Sequence, residues 1–212
     1  MKKIFLSMIM IIGLMSLAAC GNNNAPNTEP SLAPANNSSL AVSEETSTEP
    51  TEDTKSLVVY FSWSGNTKNV AKAIQAQTDS DIFEIVPQEP YSDDYNTVLD
   101  IAQEEQQQDA RPAISQSIDN IADYDVIYVG YPNWWGDMPM ILYTFFDDYD
   151  LSGKTVAPFC TSGGSGLSNT VNEIKELEPN AFVTQGLHIG SESASNPDSA
   201  VSEWLENTET AN

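Results

Sequence analysis

From Ser56 onward, apolar residues recur with two alternating periods. Short runs rich in β-branched and aromatic residues predict strands, and the segments between them have the apolar spacing of helices. The predicted strands are Leu57 to Phe61, Ile82 to Val86, Val126 to Gly130, Val156 to Cys160, and Phe182 to Thr184 with an extension to Ile189. The predicted helices are Thr67 to Gln77, Asp93 to Gln108, Pro139 to Tyr149, Leu167 to Leu177 and Asp198 to Glu206. This alternation is typical of an α/β fold: a doubly wound, five-stranded parallel sheet with helices on both faces.

The first 55 residues have a different character. Lys2 and Lys3 precede an apolar run from Ile4 to Leu17, which is shorter than the roughly 20 residues that cross a bilayer as a helix. This order predicts a signal peptide over residues 1–19 rather than a permanent transmembrane anchor. Residues 22–55 are mostly Asn, Pro, Ser, Thr, Glu and Ala, with no aromatic residue. We therefore expect a disordered linker, followed by one folded domain over residues 56–212.

The segment Leu17-Ala18-Ala19-Cys20-Gly21 resembles a bacterial lipobox, in which the cysteine thiol receives a diacylglycerol and the preceding peptide is removed. The resemblance implies that the protein is exported and anchored to the bacterial cell membrane through Cys20. Two acyl chains hold a protein on a membrane stably, whereas one chain does so only marginally. The alternative is an ordinary cleaved signal peptide with a free Cys20. The second cysteine, Cys160, ends an apolar strand, where we expect a buried and unreactive thiol.

Three unusual segments follow predicted strands, and the carboxyl ends of parallel strands share the edge of a sheet at which ligands bind. The first, Ser62-Trp63-Ser64-Gly65-Asn66-Thr67, opens a helix; its hydroxyls and the free N–H groups suit a terminal phosphate. It has the glycine spacing of neither a Walker A loop nor a dinucleotide-binding turn. The second segment, Tyr131-Pro132-Asn133-Trp134-Trp135-Gly136-Asp137, offers indoles for a flat ring. In the third, Thr161-Ser162-Gly163-Gly164-Ser165-Gly166, small residues let backbone N–H groups approach a ring edge.

The first segment closely resembles the loop that binds the phosphate of flavin mononucleotide (FMN) in flavodoxins, and Trp135-Gly136-Asp137 is similar to the loop that covers one flavin face. The resemblance extends from Ser56 to about Asn207 and implies a short-chain flavodoxin-like domain with strand order 2-1-3-4-5. It implies that FMN is the cofactor, that Trp135 stacks on the ring, and that Gly136 lies near flavin N5. Which of Trp134 and Trp135 stacks remains open. Unlike typical flavodoxins, the chain has no aromatic residue between Cys160 and Asn172, which leaves the second flavin face open to a substrate.

The resemblance implies an electron-transfer flavoprotein. One alternative is an FMN-dependent two-electron oxidoreductase acting on a quinone or a similar flat acceptor, and another is a binding module of the same fold that has lost flavin. The net charge is −23, and the 25 acidic and five basic residues from Ser56 to Asn212 give −20. This charge disfavours nucleic acid and favours either solubility alone or a basic redox partner protein. A small acceptor and a monomeric state are also expected. His188 is the only histidine; we expect it to be structural and assign no metal.

Overall fold

The computed structural model of the protein describes residues 54–209. The predicted signal peptide, the predicted lipidation site Cys20 and nearly all of the predicted linker lie outside the described residues. Within the described part, the strands are β1 (Ser56–Tyr60), β2 (Asp81–Glu84), β3 (Val126–Pro132), β4 (Thr155–Ser162), β5 (Phe182–Val183) and β6 (Leu187–Gly190). The helices are α1 (Asn66–Thr78), α2 (Tyr95–Gln107), α3 (Met140–Asp148), α4 (Thr170–Leu177) and α5 (Asp198–Glu209), and a short 3-10 helix covers Ile121–Asp123.

The strands form one parallel sheet in the order β2-β1-β3-β4-β5, with β6 also paired with β4. The first strand, β1, lies inside this sheet between β2 and β3, and later strands extend the sheet toward both edges, which is the doubly wound arrangement. The predicted fold class and strand order are therefore confirmed. Each predicted helix is present, and its ends differ from the predicted ones by at most three residues.

The fifth position of the sheet is shared by β5 and β6 rather than filled by one strand reaching Ile189. Pairing with β4 stops at Val183 and resumes at Leu187, four residues later, while β4 advances by only three residues, from 156 to 159. The extra residue makes a bulge in the edge strand. Within this gap the carbonyl oxygen of Gln185 accepts the indole N–H of Trp204 at 2.9 Å. This contact with α5 occupies the Gln185 carbonyl where the strand is interrupted.

Helices cover both faces of the sheet, because successive side chains of a strand point in opposite directions. Leu57 and Val59 of β1 belong to the core that includes side chains of α3 and α4. Val58 and Tyr60 belong to the opposite core, which includes side chains of α1 and α5. Burial on both faces explains why β1 is a continuous apolar run. In the described part of the chain, no helix has the length and apolar character needed to cross a membrane.

Candidate cofactor site at the carboxyl ends of the strands

The turn between β1 and α1 leaves open space above the start of the helix. Gly65 is the N-cap residue and has φ 90° and ψ −12°, in the left-handed region that favours glycine. A Cβ at Gly65 would meet no atom within 4 Å. No side chain caps α1, so its first N–H groups are not taken by a capping oxygen. Free N–H groups at the positive end of the helix dipole suit an anion such as a phosphate.

Thr67 connects the first loop with the third loop. Its side chain is buried, and its Oγ1 lies 2.9 Å from Oγ1 of Thr161 at the end of β4. Each hydroxyl has one hydrogen and can accept two more, so this bond uses only one of the two hydrogens. The pair therefore fixes the distance between the two loops and keeps one hydroxyl hydrogen for a further acceptor.

The second loop contains a tight turn between Trp134 and Asp137. These two residues exchange both backbone hydrogen bonds, at 2.9 and 3.1 Å. Between them, Trp135 and Gly136 have φ values of 55° and 84°, and positive φ at both central residues defines a type I′ turn. The left-handed conformation costs a residue other than glycine on the order of 1 kcal/mol. Trp135 is 51% exposed, and its Nε1–H donates to the carbonyl oxygen of Leu99 in α2 at 3.0 Å.

Trp134 lies beside a cleft between the loops. Its ring contacts Phe61 and Tyr91 edge-on, with centroids 5.5 and 5.2 Å away. Among residues 54–209, no protein group accepts its indole N–H, whereas Trp63, Trp135 and Trp204 each donate to a backbone carbonyl. Trp134 lines the cleft, whereas Trp135 is outside the cleft wall. Trp135 is the stacking candidate that the flavodoxin resemblance implies.

Asn133 connects the second and third loops through its backbone and its side chain. Its N–H donates to the carbonyl of Thr161 at 2.9 Å. Its side-chain oxygen accepts the N–H of Gly136 at 3.0 Å, and its side-chain nitrogen donates to the Gly166 carbonyl and the Ser168 hydroxyl at 3.1 and 2.9 Å. Because both ends of the amide are engaged inside the protein, Asn133 holds the site together rather than offering a free donor.

Ser162 organises the third loop. Its Oγ accepts the N–H groups of Gly164 and Gly166 at 3.3 and 3.0 Å, and it lies 2.8 Å from Nε2 of His188. Since the two accepted bonds fill the acceptor sites of the hydroxyl, its own hydrogen is directed to His188. His188 thus has a structural role in this loop. The N–H groups of Gly164 and Gly166 point to Ser162, which leaves Gly163 as the glycine in the cleft wall.

The loops enclose a cleft of about 260 Å³. Nine of the residues predicted from the sequence line it: Trp63, Ser64, Asn66, Pro132, Asn133, Trp134, Thr161, Ser162 and Gly163. Seven others are outside its wall: Ser62, Gly65, Thr67, Trp135, Gly136, Gly164 and Gly166. Of these seven, Ser62 accepts the Gly65 N–H at 3.2 Å and so shapes the first turn. None of the residues that line the cleft is charged, so ligand charge must be met by N–H groups and hydroxyls.

Five residues of the cleft wall were missed by sequence reasoning: Tyr95, Val98, Leu99, Ala102 and Ser191. The first four recur at positions i, i+3, i+4 and i+7 of α2, which is the spacing of one helix face. That pattern is present in the sequence, but the rule used to find site residues points to the loops after strands and not to helix faces. Ser191 directly follows β6 and could have been found by the rule that ligands bind at the carboxyl ends of parallel strands.

Cys160 lies under the third loop and is 1% exposed. Its Sγ is 3.6 Å from the carbonyl oxygen of Gly166. Burial raises the pKa of the Cys160 thiol to about 12, so the thiol remains protonated at neutral pH. The expectation of a buried thiol is confirmed. Across residues 54–209, no group of three or more His, Cys, Asp and Glu side chains is arranged to hold a metal ion.

Fold and site together define an α/β protein of the doubly wound class with a cleft at the carboxyl ends of its strands. Residues 55–208 match the sequence profile of the flavodoxin family. The chain belongs to that family. Comparison with curated protein sequences gave no match.

Solved structures agree with this assignment. A protein from Bacteroides eggerthii DSM 20697, provisionally described as a flavoprotein, is 34% identical; the alignment covers 74% of this chain and 99% of that one, with a TM-score of 0.67. A similarly described protein from Bacteroides uniformis ATCC 8492 is 32% identical over 72% of this chain and 98% of that one, with a TM-score of 0.66. A flavoprotein from Lactobacillus acidophilus NCFM, crystallised in complex with FMN, is 31% identical over 72% and 99%, with a TM-score of 0.58.

Proposed function

We propose that this protein is an FMN-binding electron-transfer protein, exported and held at the bacterial cell membrane by a lipid on Cys20. The convergence of the three loops supports the cofactor site: Thr161 bonds both Thr67 of the first loop and Asn133 of the second, each at 2.9 Å. Membership of the flavodoxin family and the FMN complex of the Lactobacillus protein support FMN as the cofactor.

The residues present fit both ends of FMN. At Gly65, open space and the uncapped start of α1 suit the phosphate. The cleft next to it has a wall of Trp134 and apolar residues of α2, which suits a flat aromatic ring. When bound, FMN supplies the ring that takes up and releases electrons, and the protein supplies binding, orientation and electrostatics. The −20 charge from Ser56 onward favours a basic redox partner. Because physiological salt largely screens exposed charges that are more than roughly 8 Å apart, this attraction acts only when the two proteins are close.

The first test is reconstitution of the purified full chain with FMN. We expect flavin absorption bands that remain after gel filtration, with about one FMN per chain, because the cleft and the first loop form one site for one cofactor. A protein that retains no flavin after this treatment would contradict the proposed function. It would instead support a binding module that has lost the cofactor.

A second candidate function is a two-electron oxidoreductase acting on a quinone or a similar flat acceptor. It is favoured by Gly163 of the cleft wall, which is exposed and where an added Cβ would meet no atom within 4 Å. The corresponding side of the cleft is therefore not covered by a protein ring. Steady-state assays of the FMN-loaded chain with a quinol or NAD(P)H as donor and a quinone as acceptor distinguish the two functions. Rapid turnover without a partner protein would place the oxidoreductase first.

The proposed membrane anchor predicts a large effect of Cys20→Ser. We expect the wild-type chain to enter the membrane fraction and to incorporate radiolabelled fatty acid. The variant should incorporate none, because the sulfur of Cys20 is the only atom of that residue that can form the thioether. The matched control is Cys160→Ser, which alters the buried cysteine and should leave the label in place. Equal labelling of wild-type and Cys20→Ser chains would refute the anchor.

A further inference from the structure

The helix α2 forms one wall of the cleft but is weakly packed. It contributes Tyr95, Val98, Leu99 and Ala102 to the cleft. Of its 13 residues only Val98 and Ala102 are buried, whereas α1, also of 13 residues, buries five. A helix that buries little apolar surface has low local stability. Its position therefore depends on other contacts.

Three hydrogen bonds from aromatic residues anchor this segment. The indole N–H of Trp63 donates to the carbonyl of Ser92, just before α2, at 2.9 Å. The indole N–H of Trp135 donates to the carbonyl of Leu99, in the second turn, at 3.0 Å. Tyr91 donates its hydroxyl hydrogen to the carboxylate of Glu105 near the end of α2 at 2.9 Å.

These anchoring bonds start at the cofactor site. Trp63 belongs to the first loop and Trp135 to the second, and Tyr91 packs edge-on against Trp134. The ring of Trp63 also lies 6.1 Å from that of Tyr95, the first residue of α2. The loops that line the cleft thus also hold the helix that forms its other wall.

The backbone of Trp135 supports a role for its side chain. The central positions of a type I′ turn favour Asn, Asp and Gly, and a tryptophan at φ 55° is strained. Strain of this kind persists where the surrounding structure compensates for it, and it occurs preferentially at functional sites. The hydrogen bond to Leu99 is the compensating contact.

We propose that Trp63 and Trp135 are positioning residues, whose indole N–H groups hold α2 in place as a wall of the cofactor cleft. The consequence for flavin binding rests on the proposed function. The anchoring itself is a property of the chain without cofactor. Under this assignment, Trp135 affects the flavin through the helix, and Trp134 forms the aromatic wall.

The test is hydrogen exchange of the full chain, without FMN, in a Trp63→Phe/Trp135→Phe double variant. Phenylalanine keeps an aromatic ring and removes the N–H donor. The variant loses one hydrogen bond to α2, at Leu99, and one to Ser92 in the segment that leads into it. We therefore expect amides of residues 95–107 to exchange roughly tenfold faster than in the wild type, with protection of the sheet unchanged. Trp135→Phe alone gives a smaller increase with little risk to the fold, since that side chain is half exposed.

Trp204→Phe is the matched control, because Trp204 makes the same type of bond to Gln185 at the other edge of the molecule. In the Trp204→Phe variant, the amides of α2 should exchange at the wild-type rate. Wild-type exchange of α2 in the double variant would overturn the proposal. In a separate titration, the FMN dissociation constant should rise several-fold in the double variant. Failure of the wild-type chain itself to bind FMN would contradict the proposed function, whereas the exchange result would still decide the positioning role.

Discussion

Gly65→Ala is expected to lower the affinity for FMN by roughly a hundredfold, which corresponds to losing one or two charge-assisted hydrogen bonds. The new Cβ would occupy the open space above the start of α1, where we place the phosphate. Alanine also disfavours the φ of 90° found at this position, so the turn that directs N–H groups at the phosphate would be distorted. A fluorescence titration of the chain with FMN measures the change.

Gly153→Ala separates backbone strain from loss of the phosphate site. Gly153 also has positive φ, at 76°, and a Cβ there would meet no atom within 4 Å. It lies in the turn between α3 and β4, where its N–H donates to Asn180 at 2.8 Å. Both alanine variants should lose about 1–2 kcal/mol of stability, and only Gly65→Ala should lose FMN. Equal FMN affinity in the two variants would contradict our placement of the phosphate at the first loop.

Gly130→Ala is expected to lower the free energy of unfolding by about 3 kcal/mol, the upper part of the usual range for overpacking a core. Gly130 is in β3 directly opposite Phe159 of β4. A Cβ at Gly130 would overlap the ring of Phe159, which is completely buried and cannot move into solvent. The ring or the two strands must therefore shift. Equilibrium unfolding in urea measures the loss.

Two further variants test this explanation. Gly130→Ala/Phe159→Leu should be more stable than the sum of the two single changes predicts, because the smaller side chain makes room for the Cβ. Gly190→Ala is the control for a strand glycine, since a Cβ there meets no atom within 4 Å and φ is not positive. It should change stability by less than about 1 kcal/mol. A similar loss in Gly190→Ala would show that strand glycines matter for another reason.

Much of the fold could be predicted from the sequence because its signals are local. Burial on both faces of the sheet made β1 a continuous apolar run, and the helical spacing located α1 and α3. Parallel strands joined by helices admit few topologies, because the crossovers are right-handed. Among these topologies, the flavodoxin resemblance implied the order β2-β1-β3-β4-β5. The first loop could also be located, since the glycine at the helix start and the flanking hydroxyls that suit a phosphate all lie within six consecutive residues.

Tertiary contacts decided the rest. The interruption between β5 and β6 coincides with the hydrogen bond from the indole of Trp204 to the carbonyl of Gln185, and these two residues are 19 positions apart in the sequence. Trp134 and Trp135 are neighbours in sequence, and only the type I′ turn and the carbonyl of Leu99 direct one to the cleft and the other to α2. Asn133 and Thr67 are cofactor-binding candidates by residue type, and only the tertiary structure shows that both also bond distant partners in the third loop.

The sequence by itself determined the α/β architecture, the edge of the sheet that carries the site and the three loops that build it. It also contains the only basis for the predicted lipid anchor at Cys20. The tertiary structure decided which side chains of those loops face the cleft and that α2 closes one side of it. The physical reason is that backbone periodicity and turn chemistry act over a few residues, whereas the direction of a side chain depends on partners that only folding brings near.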